Sequence, residues 1–448
     1  MDKHLDIFGQ QPFFTINIQL SFCFDVPDPS LYPAITKLLA SGLERLCTSF
    51  PWLASDVTNE GSGNGNSGIF TFTTPEDAHR LIVKDHRHDS SVPTMEALRL
   101  ANFPMSMLDE AAIAPRKIFP DIPSPAPAFL VQANFIDAGL ILTFVAQHNT
   151  MDMTGLGHVV HLFSKACHGE EFSEKEVLTG NIARRNIVPL LGNSYTPGPE
   201  LDRYIVKPRV SLGAPGQPPA SAPQCVWAYF FFPPESLASL KSQALESLTQ
   251  SSFVSTDDAL TAFLWKSISR ARLYRLPSEV SSTVMRAMNV RQHLGIPSTY
   301  PGPIQSNVYS KFTLQRVVEE SLSFLASNLR SALAPTHSDL GDHTRAIATF
   351  LSRAKDKSVF SFGAELDLSA DVIISSWAKV NCAEIDFNLG LGFPKAVRKP
   401  RCNTVEGLTF IMPKSRDGGI MVAACLRDED MKMLRADENF TSLGTYVG

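Results

Sequence analysis

A histidine and an aspartate four residues apart, His148 and Asp152, are the pair in this chain whose types and spacing could do chemistry. A neutral imidazole can take the proton of a hydroxyl as that oxygen attacks an electrophile, and a neighbouring carboxylate can hold the loop that presents it. The plainer alternative is a hydrogen-bonded core histidine with no chemical task. A metal reading would recruit Asp152, His158 and His161, but the last two fall three apart on an expected helix, where a solvated face is usual, and the order HExxH is absent. No GxSxG elbow offers a serine nucleophile.

The elements that must position this pair are legible on either side of it. Residues 140–146, with only Thr143 polar, read as a strand buried on both faces, and residues 158–167 as a helix. His148 therefore stands where a rigid strand gives way to a loop. Residues 129–136 pair with that strand across a turn at Asp137, Ala138 and Gly139. Earlier, residues 13–26 read as a strand, 29–48 as a helix, and the glycine-rich 59–68 as a hairpin loop that lacks the spacing and lysine of a phosphate loop. Residues 101–127 are proline-punctuated and irregular. Later, strands are expected at 226–232, 283–290, 304–309, 372–380, 408–412 and 420–426. Helices are expected at 234–248, 256–272, 314–333, 343–353 and 429–435, with Ser255 or Thr256 capping the second.

At 448 residues the chain exceeds one ordinary core, and the stretch 193–223, dense in proline and glycine, is the natural linker. The expected division is an N-terminal lobe over 1–192, a crossover linker over 193–223 and a C-terminal lobe over 224–448. With 40 basic and 45 acidic residues and no basic stripe, a general nucleic-acid binder is not expected. Seven widely spaced cysteines without a CxxC pair suggest reduced thiols rather than a disulfide framework or zinc site. The first twenty residues carry acids and lack a signal-type apolar core, and no stretch of about 18 apolar residues follows. A cytoplasmic protein is expected.

Four motifs in order along the chain carry a resemblance. His148 to Asp152 matches an HxxxD signature followed by Gly155; residues 255–272 resemble an ALxAxxWxxxxRAR helix; residues 289–307 resemble a DxR...P...N segment; and 386–390, DFNLG, resembles DFGWG. Together these resemble the BAHD-type coenzyme A-dependent acyltransferases over essentially the whole chain. Details such as APRK at 114–117, SSWAK at 375–379 and LRDEDM at 426–431 are most similar to the fungal trichothecene 3-O-acetyltransferases. Three residues depart from the pattern: Asn289 for the aspartate of DxR, Asn388 for glycine and Leu389 for tryptophan. None of these positions supplies the proton acceptor.

The resemblance implies a mixed α/β (α+β) fold of two chloramphenicol-acetyltransferase-like lobes with a central tunnel between them. It implies acetyl transfer from acetyl-coenzyme A to the C3 secondary hydroxyl of a trichothecene-type sesquiterpenoid, masking a toxic alcohol, or the same chemistry on another fungal alcohol or amine. His148 would be the general base, Asp152 a structural partner of Arg291, and Ser375 and Trp377 the oxyanion side. Ser255, Thr256, Lys395, Arg398, Lys399 and Arg401 are the candidates for the coenzyme A phosphates, and Asp386, Phe387 and Gly390 would brace the tunnel wall. The expected partners are a small-molecule alcohol acceptor and acyl-coenzyme A, with no metal, nucleic acid or membrane, and the chain is expected to act as a monomer.

Overall fold

The apolar run at 140–146 becomes the middle of a sheet. In the computed structural model, which describes residues 3–75, 80–121, 124–207, 223–248, 251–333 and 339–448, the strand Gly139–Gln147 is buried along its whole length. It lies between Asn17–Asp25 and Phe129–Ile136, both antiparallel to it. Leu81–Asp85 extends this five-stranded sheet at one edge and Ala396–Arg398 at the other. An unbroken apolar strand needs cover on both faces: the aromatic cluster of Phe22, Phe129, Phe144, Phe163 and Phe387 lies on one, and Met95, Leu98, Leu108 and Ile113 pack with Ile141 on the other. Helix α1 (Tyr32–Ser49) packs against helix α2 (Met153–Cys167) on the same sheet. Their approach is close enough that a Cβ on Gly42 would stand 2.6 Å from Cys167 Sγ.

The second half builds a seven-stranded sheet in the order Gln305–Thr313, Ser281–Asn289, Val372–Ser376, Leu408–Ile411, Ile420–Arg427, Cys225–Phe232, Thr445–Tyr446. Val372–Ser376 runs parallel to both of its neighbours. Helix α3 (Thr256–Arg272) lies over this sheet with its apolar side chains, Trp265 among them, in a second core. At its end Arg272 is fully buried, donating to Asp371 O at 2.9 Å and paired with Asp430 at 3.4 Å. The two lobes are stitched together by short elements. Ala396–Arg398 leaves the second half to pair with Asn17–Asp25, while Phe8 and Phe14 near the start pack with Met285, Tyr300 and Phe362.

Most expected elements are present within a few residues, and the departures have local causes. The helix expected over 314–333 is two, Leu314–Glu319 and Leu322–Ser331, because Ser321 caps the second by accepting from Phe324 N at 3.1 Å. The strand expected from 13 begins at Asn17, since Pro12–Phe14 winds into a 3-10 turn. The strand expected through 380 stops at Ser376, after which Val380 N bonds Trp377 O at 2.8 Å. Within 193–223, Pro199–Tyr204 forms a 3-10 turn that buries Leu201 and Tyr204, and residues 208–222 of that segment lie outside the described residues. No described helix is long and apolar enough to cross a membrane.

Candidate active site

The register of the first sheet sets where His148 emerges. Asn17 faces Gln147, so the next residue leaves the sheet edge beside Ile16, whose carbonyl accepts from His148 N at 2.7 Å. A tight turn follows, with Thr150 N and Thr150 Oγ1 both donating to Gln147 O, at 2.9 and 2.7 Å. Two residues on, Asp152 caps α2, its Oδ1 accepting from Gly155 N at 2.8 Å. The HNTMD pentad is thus a strand end, a turn and a helix cap, three rigid pieces that leave the imidazole little freedom.

The same carboxylate oxygen accepts from Arg291 Nη2 at 2.8 Å, with the two side chains 7% and 1% exposed. Arg291 also donates to Tyr300 O at 2.9 Å, Gly302 O at 2.6 Å and Asn289 Oδ1 at 3.1 Å. The guanidinium therefore ties the histidine loop of one lobe to the loop after the second strand of the other. Asn289, in place of an aspartate, still accepts through its amide oxygen. Gly155 is required where it stands: a Cβ there would lie 2.0 Å from Pro301 O, so any other residue would push the two loops apart.

His148 opens onto a cavity of about 370 Å³ between the lobes, lined by both sheets. Its ring stacks on Phe14 with centroids 4.7 Å apart. The ring lines that cavity, and its Nδ1 is fully buried without a hydrogen-bond partner. Burial pushes the imidazole pKa below its usual 6.5, opposed by its own main chain and by the Asp152 charge. A ring so placed is neutral at physiological pH and can accept a proton. The same cavity is lined by Ser375 and Trp377, at and just past the end of a central strand of the second sheet. The indole Nε1 donates to Ser375 Oγ at 3.0 Å, so the serine hydroxyl proton is the donor left for the cavity.

The structure brings His148, Asp152, Ser375, Trp377 and Lys399 to one cavity and distributes the remaining candidates elsewhere. Ser255 is occupied in a capping box with Asp258, and its Oγ also accepts from Arg330 Nη2 at 2.8 Å; Thr256 is the first residue of α3. The basic run at 395–401 is not one patch. Lys395 and Arg398 line a separate cleft of about 670 Å³ together with Arg416, Arg401 pairs with Asp109, and Lys399 is buried in the wall of the histidine cavity. The short strand Ala396–Arg398 runs along that cleft, whereas Lys399 and Arg401 lie beyond its end, where the chain turns away and Arg401 N bonds Leu108 O at 2.7 Å.

The DFNLG segment docks on the first lobe away from the cavity. Asp386 O accepts from Ser164 Oγ of α2 at 2.5 Å, and Phe387 is buried among Phe22, Phe24, Phe144 and Phe163. Asn388 and Gly390 both have positive φ, 57° and 73°, and asparagine is the side chain that best tolerates that region in place of glycine. His158 and His161 face no third ligand: among the described residues no cluster of three histidine, cysteine or acidic side chains could hold a metal ion.

Sequence reasoning passed over Phe14, which stacks on the histidine, and Arg184, whose Nη1 donates to Thr150 O at 2.6 Å inside the pentad. Neither has a local signal. Both reach the loop from segments distant along the chain.

Comparison with known proteins adds independent findings. A Trichothecene 3-O-acetyltransferase-like N-terminal domain matches residues 16–167, and the Transferase family matches residues 111–441. The chain is 51% identical to O-acetyltransferase dmxR13 of Cryptosporiopsis sp., over 100% of this chain and 98% of that one. It is 46% identical to trichothecene 3-O-acetyltransferase TRI101 of Fusarium sporotrichioides, over 100% and 97%. The crystal structure of F. graminearum TRI101 with coenzyme A and deoxynivalenol superposes with a TM-score of 0.94 at 43% identity, covering 100% of both chains. That of F. sporotrichioides TRI101 with coenzyme A and T-2 gives 0.93 at 44%, again over 100% of both.

Proposed function

The chain belongs to the Transferase family and is a coenzyme A-dependent O-acetyltransferase, and from that premise we propose that it moves the acetyl group of acetyl-coenzyme A directly onto a secondary hydroxyl, the C3 hydroxyl of a trichothecene-type sesquiterpenoid, with His148 as general base. The observation that carries this reading is the His148 ring in the wall of a cavity that Ser375 also lines, its Nδ1 buried and its pKa pushed below 6.5 by burial; in this reading Nε2 faces the reactants.

Nε2 takes the hydroxyl proton as the acceptor oxygen attacks the thioester carbonyl. The charge on the carbonyl oxygen is met by the Ser375 hydroxyl, itself held by the Trp377 indole. His148 then returns the proton to the departing coenzyme A sulfur. Asp152 does not touch the reactants; with Arg291 it fixes the loop. Lys395 and Arg398, beside the cleft of about 670 Å³, are the side chains we assign to the coenzyme A phosphates. The proposed lobes run over 1–192 and 224–448, the second lending residues 396–398 to the first sheet.

The acceptor wall is apolar, with Phe13, Phe119, Met285, Met288 and Phe362, broken by Gln19 and Gln305. That lining suits a compact polycyclic alcohol carrying a few oxygens. A second acceptor class, another fungal secondary metabolite, has one observation in its favour: the relative at 51% identity is named only as an O-acetyltransferase, without an acceptor. Incubation with acetyl-coenzyme A and a panel of trichothecenes and other fungal alcohols, read by mass spectrometry, separates the two. Acetylation of trichothecenes bearing a free C3 hydroxyl supports the first reading. Turnover confined to other alcohols replaces it with the second.

A further inference from the structure

Two side chains in the cavity wall, Lys399 and Cys402, have no part in the steps above. Most of the cysteines are shut away. Burial pushes the thiols of Cys23, Cys167 and Cys382 up to about 12 and that of Cys47 to about 11, and it raises those of Cys225 and Cys425. Cys402 differs in its surroundings. It is half-buried, it lines the His148 cavity, and Lys399 Nζ lies 3.0 Å from its sulfur.

Lys399 is an independent oddity. It is 2% exposed, yet among the described residues it has no carboxylate at ion-pair distance. Its Nζ donates to Pro400 O at 3.2 Å and to Cys402 Sγ, over the Trp227 and Phe410 rings at 5.1 and 5.2 Å. The Glu110 carboxylate, whose charge it feels, is bonded instead to Ile118 N at 2.7 Å and Gln19 Nε2 at 3.1 Å. A buried amine needs hydrogen-bond partners, and the sulfur is the side-chain partner this wall offers it. The alternative bond, a thiol proton donated to Asn403 O, is long at 3.4 Å.

We propose that Cys402 is a covalent modification site inside the cavity, its sulfur made nucleophilic by the Lys399 Nζ 3.0 Å away, and that it takes α,β-unsaturated carbonyl compounds small enough to enter. The thiol passes its proton to water as the sulfur forms an S–C bond to the β-carbon, and the alkene electron pair moves to give an enolate. Lys399 protonates the enolate and recovers its proton from water, so nothing leaves and no oxidant is consumed. The adduct fills the cavity and stops acetyl transfer; this last consequence rests on the function proposed above, whereas the addition itself does not.

The test treats the full-length protein with N-ethylmaleimide, follows the modified cysteine by peptide mapping, and assays acetyl transfer on the same aliquots. Cys402 should be modified first, with transfer lost in step. Lys399→Met should slow that addition about tenfold at fixed pH, and Lys399→Arg should restore it. Cys402→Ser should keep whatever activity it starts with through the treatment. Modification of another cysteine first, or an unchanged rate in Lys399→Met, would overturn the proposal. Modification of Cys402 with transfer undiminished would support the modification site and instead overturn the site assigned to transfer.

Discussion

Replacing Asp152 by asparagine changes one charge at the junction of the two lobes while leaving its shape in place. The cap on α2 survives, because an amide oxygen can accept from Gly155 N as the carboxylate does. What disappears is the anion facing Arg291 at 2.8 Å in a site where the two side chains are 7% and 1% exposed. Removing one member of a buried pair costs about 3 to 5 kcal/mol, against under about 1 for an exposed one. Arg291 keeps its bonds to Tyr300 O, Gly302 O and Asn289 Oδ1, which places the expected loss near the lower end, about 3 kcal/mol. Denaturant unfolding of Asp152→Asn, Arg291→Met and the double variant measures it. The singles should each be destabilised and the double should lose less than their sum, with a coupling of about 1 to 3 kcal/mol. Single variants within about 1 kcal/mol of wild type would refute the claim that a desolvated charge pair holds the histidine loop.

Ser375→Ala should lower kcat about 10²- to 10³-fold, with the KM for acetyl-coenzyme A little changed, because a donor aimed at a developing oxyanion acts in the transition state; steady-state kinetics with a confirmed acceptor decide this. The rate against pH should be flat through neutrality and fall only below pH 6.5, since burial holds His148 below that value and the base works when neutral. Stability has the same sign: between the folded and unfolded histidine pKa values the unfolded chain binds more protons, so stability falls as pH drops from 6.5. His158, pushed down to about 4 by burial, extends that window, and His158→Gln should flatten the slope in unfolding measured from pH 7 to 4. Initial rates at several fixed levels of one substrate should give intersecting lines, because among the described residues no serine or cysteine is hydrogen-bonded to the His148 ring: Cys167, the first cysteine after the pentad, is buried at the far end of α2, and Cys402 in the cavity wall is bonded to Lys399 instead. Parallel lines, or protein acetylated by acetyl-coenzyme A alone, would mean an acyl-enzyme.

How much of this was legible in the sequence follows from how local each signal is. The strand at 140–146 and its partner at 129–136 announce themselves through apolar runs flanking a turn, and the helix Thr256–Arg272 through its cap and first-turn acids. HxxxD and the arginine of the DxR-like segment were readable as motifs, but that Asp152 and Arg291 meet depends on packing between residues 139 apart in the chain. The destinations of the basic run at 395–401 were hidden for the opposite reason. Adjacent in sequence, its members are sent to a separate cleft, the cavity wall and the surface by a three-residue strand that pairs across the lobes, a strand too short for periodicity to reveal. Phe14 and Arg184 were invisible because their roles exist only after the terminal segment and the chain beyond α2 close over the histidine loop.

The most direct test of direct transfer with His148 as base is the turnover of His148→Ala on an acceptor the wild type acetylates, measured beside its melting curve. Removing a half-buried ring at the cavity edge opens little interior space, so the fold should hold while transfer falls about 10²- to 10⁴-fold. A variant that melts like the wild type and keeps more than about a tenth of its turnover would contradict the account, since a general base worth about 10²-fold or more cannot be absent at that rate.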